Sequence, residues 1–252
     1  MSNPYETSAL VSQYLLFHYG KPDEILPYDE APHDALDFAV RAVTEMVDFA
    51  TLPERPCALD LGCAVGRSSF TLSETCGEVL GIDFSHAFVK AAQEIAAAGE
   101  LPYARIDEGA MTTPLVARLP ENARPERVHF QQGDAMDVPE SLGQFDVALL
   151  ANLICRLPDP VRCLERLPSL VRAGGQLVIT SPYTWLDEFT PRDRWLGGYV
   201  DGDHPVVTID VLEESLKSHF KLERRKNLPM LIRETARKFQ WTMAEGSLWK
   251  RL

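Results

Sequence analysis

The stretch that decides the fold is Ala58-Leu59-Asp60-Leu61-Gly62-Cys63-Ala64-Val65-Gly66-Arg67-Ser68. The apolar run from Cys57 to Leu61 predicts a short buried strand, the glycines a tight turn, and Ser68-Ser69-Phe70-Thr71-Leu72 the start of a helix. A strand that feeds a helix through a glycine-rich turn brings bare backbone N–H groups up to a ligand. The spacing is D-x-G-x-x-x-G. It differs from the G-x-G-x-x-G of most dinucleotide binders and lacks the Gly-Lys-Ser/Thr of a phosphate-binding loop. Taken alone, such a turn is as consistent with an ordinary strand-to-helix connection. The strand ends farther along the chain decide between the two.

The 252 residues suffice for one large α/β domain with an appendage. No run approaches the roughly 18 apolar residues of a membrane span, and the opening Met1-Ser2-Asn3-Pro4-Tyr5-Glu6 does not read as a signal peptide. Five cysteines, at 57, 63, 76, 155 and 163, have no C-x-x-C spacing. A reduced, cytoplasmic protein without disulfides or a metal site is expected. The formal net charge of −12 argues against nucleic acid as a partner, because that affinity rests on clustered Lys and Arg. A small-molecule substrate fits better.

Thr7 or Ser8 can cap a first helix through Tyr14-Leu15-Leu16-Phe17-His18, stopped by Gly20 and Pro22. Its aromatic content admits two readings, an amphipathic helix packed on the domain or a lid over a ligand. Residues 1–31 are therefore read as a helical lid and linker, and 32–252 as the main domain. Pro32 suits the first turn of a second helix, with Leu36, Val40, Val43, Met46 and Val47 on one face, ending before Pro53. After the glycine turn, Glu78-Val79-Leu80-Gly81-Ile82-Asp83 is a second buried strand that ends in an acid 17 residues beyond Gly66. A carboxylate there can accept both hydroxyls of a ribose at the sheet edge. It can also cap the helix Ala87–Ala98, although Ser85 is the better cap.

Residues 100–127 are too long for a plain connection. The segments 103–106 and 114–119 can pair around Glu108-Gly109 as an inserted hairpin. Strand three is read at Val128–Met136, ending in Gly133-Asp134-Ala135, and strand four at Gln144–Leu153. The latter is almost continuously apolar, as a central parallel strand is. Pro158 opens a helix, and Gly174-Gly175 turns the chain into strand five, Gln176–Thr180, which runs on into Ser181-Pro182-Tyr183-Thr184-Trp185. The segment Leu186–Val206 is polar and irregular, and it follows a strand end of the kind that binds ligands in open α/β sheets. Asp210 or Thr208 caps a helix to Phe220, and a terminal hairpin, Lys221–Leu228 with 236–252, closes the chain.

With these motifs placed, Asp60–Gly66, Asp83, Asp134-Ala135 and Asn152 at successive strand ends resemble class I S-adenosylmethionine-dependent methyltransferases. The resemblance implies a Rossmann-like α/β fold, with a seven-stranded, mostly parallel sheet of order 3-2-1-4-5-7-6 and helices on both faces. It implies S-adenosylmethionine as cofactor, with S-adenosylhomocysteine as product. It further implies Asp60 and Gly62 near the methionyl amine, Cys63 and Gly66 lining the turn, and Asp83 with Phe84 at the ribose. Asp134 and Ala135 would meet adenine, and Asn152 and Leu153 the methionyl and methyl end. For Cys63 a small residue filling the turn is the simpler reading, and no thiol chemistry is assigned to it.

Two flanking stretches, Asn3-Pro4-Tyr5-Glu6-Thr7-Ser8 with Gln13–Gly20, and Asp60–Phe70, are similar to the methyltransferase of ovothiol biosynthesis. That family occurs fused to a sulfoxide synthase or free-standing, and this chain is read as the latter, with the synthase as functional partner. The implied reaction methylates 5-thiohistidine at the imidazole nitrogen nearest the side-chain attachment. The thiolate is intrinsically the better nucleophile, so the site has to aim the nitrogen at the methyl. Expected for this task are an aromatic wall from Tyr5, Tyr14 or Tyr183 and a hydrogen bond from His18 or Tyr19. Arg67, Arg192 or Arg194 would pair with the carboxylate, and Glu6, Asp187 or Glu188 with the ammonium. Tyr5, His18, Asn152 and Tyr183 are the candidates closest to the chemistry. Two alternatives remain open: a methyltransferase for another small molecule at nitrogen or oxygen, or a non-catalytic cofactor-binding module.

Overall fold

The computed structural model describes residues 4–252. In chain order the elements are α1 (Ser8–Tyr19), α2 (Pro22–Ile25), α3 (Phe38–Thr44), β1 (Cys57–Leu61), α4 (Arg67–Ser73), β2 (Glu78–Asp83) and α5 (His86–Ala98). Next come β3 (Glu100–Glu108), β4 (Met111–Arg118), β5 (Val128–Gln132), β6 (Phe145–Ala151), α6 (Pro160–Leu170), β7 (Val171–Ser181), β8 (Tyr199–Asp201), β9 (His204–Val206), α7 (Thr208–Leu216), β10 (Phe220–Arg233) and β11 (Phe239–Arg251).

Seven strands form one sheet in the order β5-β2-β1-β6-β7-β11-β10. Counted within the sheet this is 3-2-1-4-5-7-6, as expected. Pairing is parallel from β5 through β7, and β11 is antiparallel to both β7 and β10. Side-chain alternation divides β6 between two cores. Val147 and Leu149 pack with α3, α4, α5, Leu15 and Leu16 of α1, and the β3–β4 hairpin. Ala148 and Leu150 pack with α6 and α7. Both faces are therefore covered, which is why β6 is apolar from Val147 to Ala151. No described helix is long and apolar enough to cross a membrane.

Several boundaries differ from the sequence reading. The single helix expected from Pro32 is interrupted at Asp37, whose φ of +55° is left-handed, and α3 begins only after it. The Arg41 guanidinium serves the break, donating from Nε to Leu36 O at 3.0 Å and from Nη2 to Pro229 O. The Lys21–Ala31 linker contains the single turn α2. Helix α6 starts at Pro160, two residues later than expected, because Asp159 Oδ1 accepts from the Arg162 N–H. Strand β7 follows α6 directly and runs through Gly174-Gly175 with a register shift against β6. Neither Thr208 nor Asp210 caps α7, since Thr208 Oγ1 accepts the Trp185 indole N–H at 2.9 Å instead. The segment expected to be irregular before α7 carries the small β8–β9 hairpin.

The inserted hairpin forms as expected, with Tyr103 opposite Leu115. Asp107 on β3 binds both Arg105, at 2.8 Å, and the buried Arg233 of β10, at 2.9 Å. Both guanidinia also donate to Glu24 O at the end of α2. One carboxylate thus fastens the insertion, the linker and the C-terminal hairpin together.

Candidate functional site

The turn after β1 holds Gly62, Ala64 and Gly66 at φ of +81°, +48° and +87°. A Cβ on Gly62 would meet Leu153 at 3.0 Å, and one on Gly66 would meet the Phe130 ring at 2.7 Å. Glycine is thus required for fit as well as for conformation. Gly62 N and Cys63 N donate to Ile82 O, which ties the turn to the end of β2. Ala64 N donates to Asp83 Oδ2 at 2.8 Å, while Asp83 Oδ1 accepts from Ser85 N at 2.9 Å. Burial raises the Asp83 pKa, and these N–H bonds oppose the shift. A carboxylate offers about four acceptor positions, so two remain for a diol.

Asp60 is fully buried, and its Oδ2 accepts from Ser68 Oγ at 2.7 Å and Ser69 Oγ at 2.6 Å. Its Oδ1 is buried without a partner. Burial pushes its pKa up to about 6, with nearby Asp83 adding to the rise and the serines resisting it. A buried carboxylate oxygen without a donor fits an ammonium group. Cys63 is also buried, and burial, Asp83 and Asp60 drive its pKa well above the ordinary thiol value. It fills the turn as a protonated thiol. At the end of β5, Asp134 Oδ1 accepts from Met136 N at 2.8 Å, Ala135 is buried, and Phe84 at the neighbouring strand end is 60% exposed.

Asn152, proposed from sequence as a catalytic and cofactor-binding residue, is left-handed at φ +55°. Its N–H donates to Thr180 O, its Oδ1 accepts from Thr180 Oγ1 at 3.0 Å, and its Nδ2 meets Met230 Sδ at 3.0 Å. These bonds make it a residue that shapes the strand end. The neighbouring Leu153 presses on Gly62. Tyr183, also left-handed at φ +51°, donates its hydroxyl to Glu245 Oε1 at 3.0 Å. Burial and Glu245 raise its pKa, so the phenol is a fixed donor to Glu245.

The N-terminal segment lies over the β2–α5 turn. Ser85 Oγ donates to Tyr5 O at 2.8 Å, and the Glu6 carboxylate accepts from His86 N at 2.9 Å and Ala87 N at 3.1 Å. Glu6 thus caps α5, which corrects its expected role on a substrate ammonium. The Tyr5 ring lies 5.7 Å from Phe88, 6.1 Å from Tyr14 and 6.4 Å from Phe189, and Tyr14 lies 4.7 Å from Phe88. Arg156 covers Phe189 at 4.8 Å and donates to Cys155 O and Thr184 O. Burial raises the Tyr5 pKa, while Arg156 opposes it. Burial likewise raises that of Tyr14.

Sequence reasoning missed Phe88, Phe189 and Arg156. Only Arg156 left a signal, as a cation directly after an apolar strand end. Conversely, Arg194 pairs with Asp159 at 3.0 Å and Arg192 stacks on Trp195 at 5.0 Å. These partners give both arginines a place in the protein's own packing. Tyr19 donates its hydroxyl to Val65 O at 2.7 Å, which fastens α1 to the glycine turn. His18 is half-buried, and burial and Arg67 push its pKa down to about 3, so the ring is neutral. Arg67 is also half-buried, and burial lowers its pKa.

A family model described as a methyltransferase domain matches residues 59–179. The sequence is 27% identical to the demethylmenaquinone methyltransferase of Lactococcus lactis subsp. lactis over 64% of this chain and 52% of the relative. It is 25% identical to the chloroplastic tocopherol O-methyltransferase of Arabidopsis thaliana over 67% of this chain and 43% of the relative. The chain spans about half the length of these curated relatives. Among solved structures, the N-methyltransferase NodS of Bradyrhizobium japonicum WM9, in complex with S-adenosyl-L-homocysteine, has the same fold. Its TM-score is 0.51 at 14% identity, covering 96% of this chain and 98% of that one. Residues 59–179 thus match a methyltransferase domain, and the whole chain has the α/β Rossmann-like fold of that solved methyltransferase.

Proposed function

We propose that the protein methylates 5-thiohistidine at the imidazole nitrogen nearest the side-chain attachment, forming ovothiol A, with S-adenosylmethionine as donor. The observation that carries this reading is the aromatic cluster of Tyr5, Tyr14, Phe88 and Phe189 with Arg156 at its edge, beside the ends of β2 and β6. A flat, electron-rich heteroaromatic ring suits such a cluster. The similarity of residues 3–8, 13–20 and 60–70 to the ovothiol methyltransferases names the ring.

In this reading residues 4–31 are a lid over the main domain. Asp60, Gly62, Cys63 and Gly66 hold the methionyl end of the cofactor, Asp83 and Phe84 its ribose, and Asp134 and Ala135 its adenine. When bound, the cofactor supplies an electrophilic methyl group. Methyl transfer needs nucleophile, methyl and leaving group in line, so the protein contributes chiefly by positioning, worth up to roughly 7–11 kcal/mol in favourable cases. The aromatic walls fix the plane of the substrate ring and thereby decide that nitrogen, and not sulfur, faces the methyl. An imidazole nitrogen with a free lone pair needs no dedicated base. A sulfoxide synthase would supply the thiohistidine.

The test is to incubate the protein with S-adenosylmethionine and 5-thiohistidine and to locate the added methyl by mass spectrometry and NMR. The N-methyl product is expected, and an S-methyl product alone would refute the aiming argument. The names of the relatives favour a second reading, methylation of another aromatic small molecule. Turnover of a hydroquinone but not of thiohistidine would establish that instead. Tight cofactor binding without any turnover would point to a binding module.

A further inference from the structure

A cavity of about 110 Å³ lies between the end of α1, the Asp37 bend and the first turn of α4, walled by His18, Tyr19, Asp37, Arg67, Arg118 and Pro120. Two of its wall residues carry a buried polar atom without a partner, His18 Nδ1 and Arg67 Nη1. Among the described residues no carboxylate lies within ion-pair distance of Arg67. Asp37 and Glu74 act on it only from farther away. A guanidinium does not shed its proton, so the cost of taking this charge out of water is only partly offset from that distance. Of the other polar wall groups, Tyr19 is engaged with Val65 O and Arg118 with Glu100, while Asp37 is exposed at the rim. An unpaired, half-buried guanidinium beside a neutral imidazole matches one class of ligand, an anion with planar oxygens.

We infer that this cavity is a carboxylate subsite for an α-amino acid, in which Arg67 takes the carboxylate and the His18 ring completes its hydrogen bonding. The inference rests on the proposed function in one respect: methyl donor and proposed acceptor are both α-amino acids, and either carboxylate has this chemistry. Geometry places the cavity within reach of both. The Tyr19–Val65 bond makes its wall continuous with the turn between β1 and α4. His18 lies one helical turn from Tyr14, with ring centroids 5.8 Å apart, so the cavity adjoins the aromatic cluster. This moves His18 from the heteroaromatic end of the substrate to the amino-acid end of a ligand.

The test compares Arg67→Met and Arg67→Lys with the wild-type chain by calorimetric titration of two ligand pairs. One pair is S-adenosylhomocysteine and 5′-methylthioadenosine, the same thioether without its amino-acid end. The other is 5-thiohistidine and 4-mercaptoimidazole, each added with S-adenosylhomocysteine present. Arg67→Met should weaken the carboxylate-bearing member of one pair by roughly 10- to 100-fold, as expected for loss of a charge-assisted, bidentate hydrogen bond. Its truncated partner should stay within about twofold, and Arg67→Lys should fall in between. Selective loss in the first pair assigns the cavity to the donor, and selective loss in the second assigns it to the acceptor. Unchanged binding of all four ligands, or equal weakening of both members of a pair together with a lowered urea midpoint, overturns the inference. If wild-type protein ignores thiohistidine, the substrate reading fails while the first pair still decides the cavity.

Discussion

Replacing Asp60 by Asn separates the stability of the free protein from its hold on the cofactor. Asp60 is fully buried, one of its oxygens has no donor, and its pKa is pushed up to about 6 from an ordinary 3.8, first by burial and then by Asp83. Between pH 4 and 6 the folded chain keeps a proton that the unfolded chain has released, so this group's contribution to stability falls as pH rises. A rise of that size amounts to roughly 3 kcal/mol of destabilisation at pH 7.5. Less than about 1 kcal/mol of it remains at pH 4. The Asn side chain escapes the ionisation cost but places an amide donor where nothing accepts it, which costs about 1–3 kcal/mol. Without cofactor, the variant should therefore be as stable as wild type or more so, by up to about 2 kcal/mol, at pH 7.5. Towards pH 4 the order should reverse. Affinity for S-adenosylhomocysteine should drop at least about tenfold at pH 7.5, because the ammonium loses its anion. Urea unfolding at the two pH values, with calorimetric titration, measures both effects. A variant clearly less stable at pH 7.5, or one that binds S-adenosylhomocysteine like wild type, would refute the reasoning.

Three further perturbations test other parts of the structure. Gly66→Ala combines a φ of +87° with a Cβ 2.7 Å from Phe130. It should cost about 2–4 kcal/mol through strain and overpacking, read as a lowered urea midpoint at unchanged slope. Glu6→Ala removes the carboxylate that holds His86 N and Ala87 N. A loss of about 1 kcal/mol is expected, with faster hydrogen exchange at those two amides and none at Leu149. Asp107→Asn deprives Arg105 and the buried Arg233 of their shared anion and should cost about 3 kcal/mol. In the wild type, Thr113 and the two arginines hold the Asp107 pKa below the usual carboxylate value. Its stabilisation is therefore present above pH 4 and lost as pH falls through the depressed pKa. A calorimetric melting series from pH 7 to pH 3 should show that loss in the wild type and not in the variant.

Strands β1, β2 and β6 were legible as largely apolar runs, β1 closed by a glycine and β2 by an acid, and a strand covered on both faces admits little else. The order of the sheet came from the family resemblance that those strand ends support. The break at Asp37 was not legible, because what holds it is an arginine that reaches the carbonyl of Pro229. The same physics hid Glu6, whose partners lie some 80 residues away. It also hid Thr208, whose hydroxyl serves Trp185 in place of its own helix. Local spacing reports what a backbone can do near itself. Polar side chains in this protein satisfy groups that arrive from distant segments.

Ser85 stands where three duties meet. Its N–H is held by Asp83, its Oγ accepts from Phe88 N to begin α5, and the same Oγ donates to the carbonyl of Tyr5. The position of the N-terminal segment and the geometry of the Asp83 carboxylate are thus set through one residue. A change at Ser85 therefore reaches the seat of the N-terminal segment, the first turn of α5 and the Asp83 carboxylate at once.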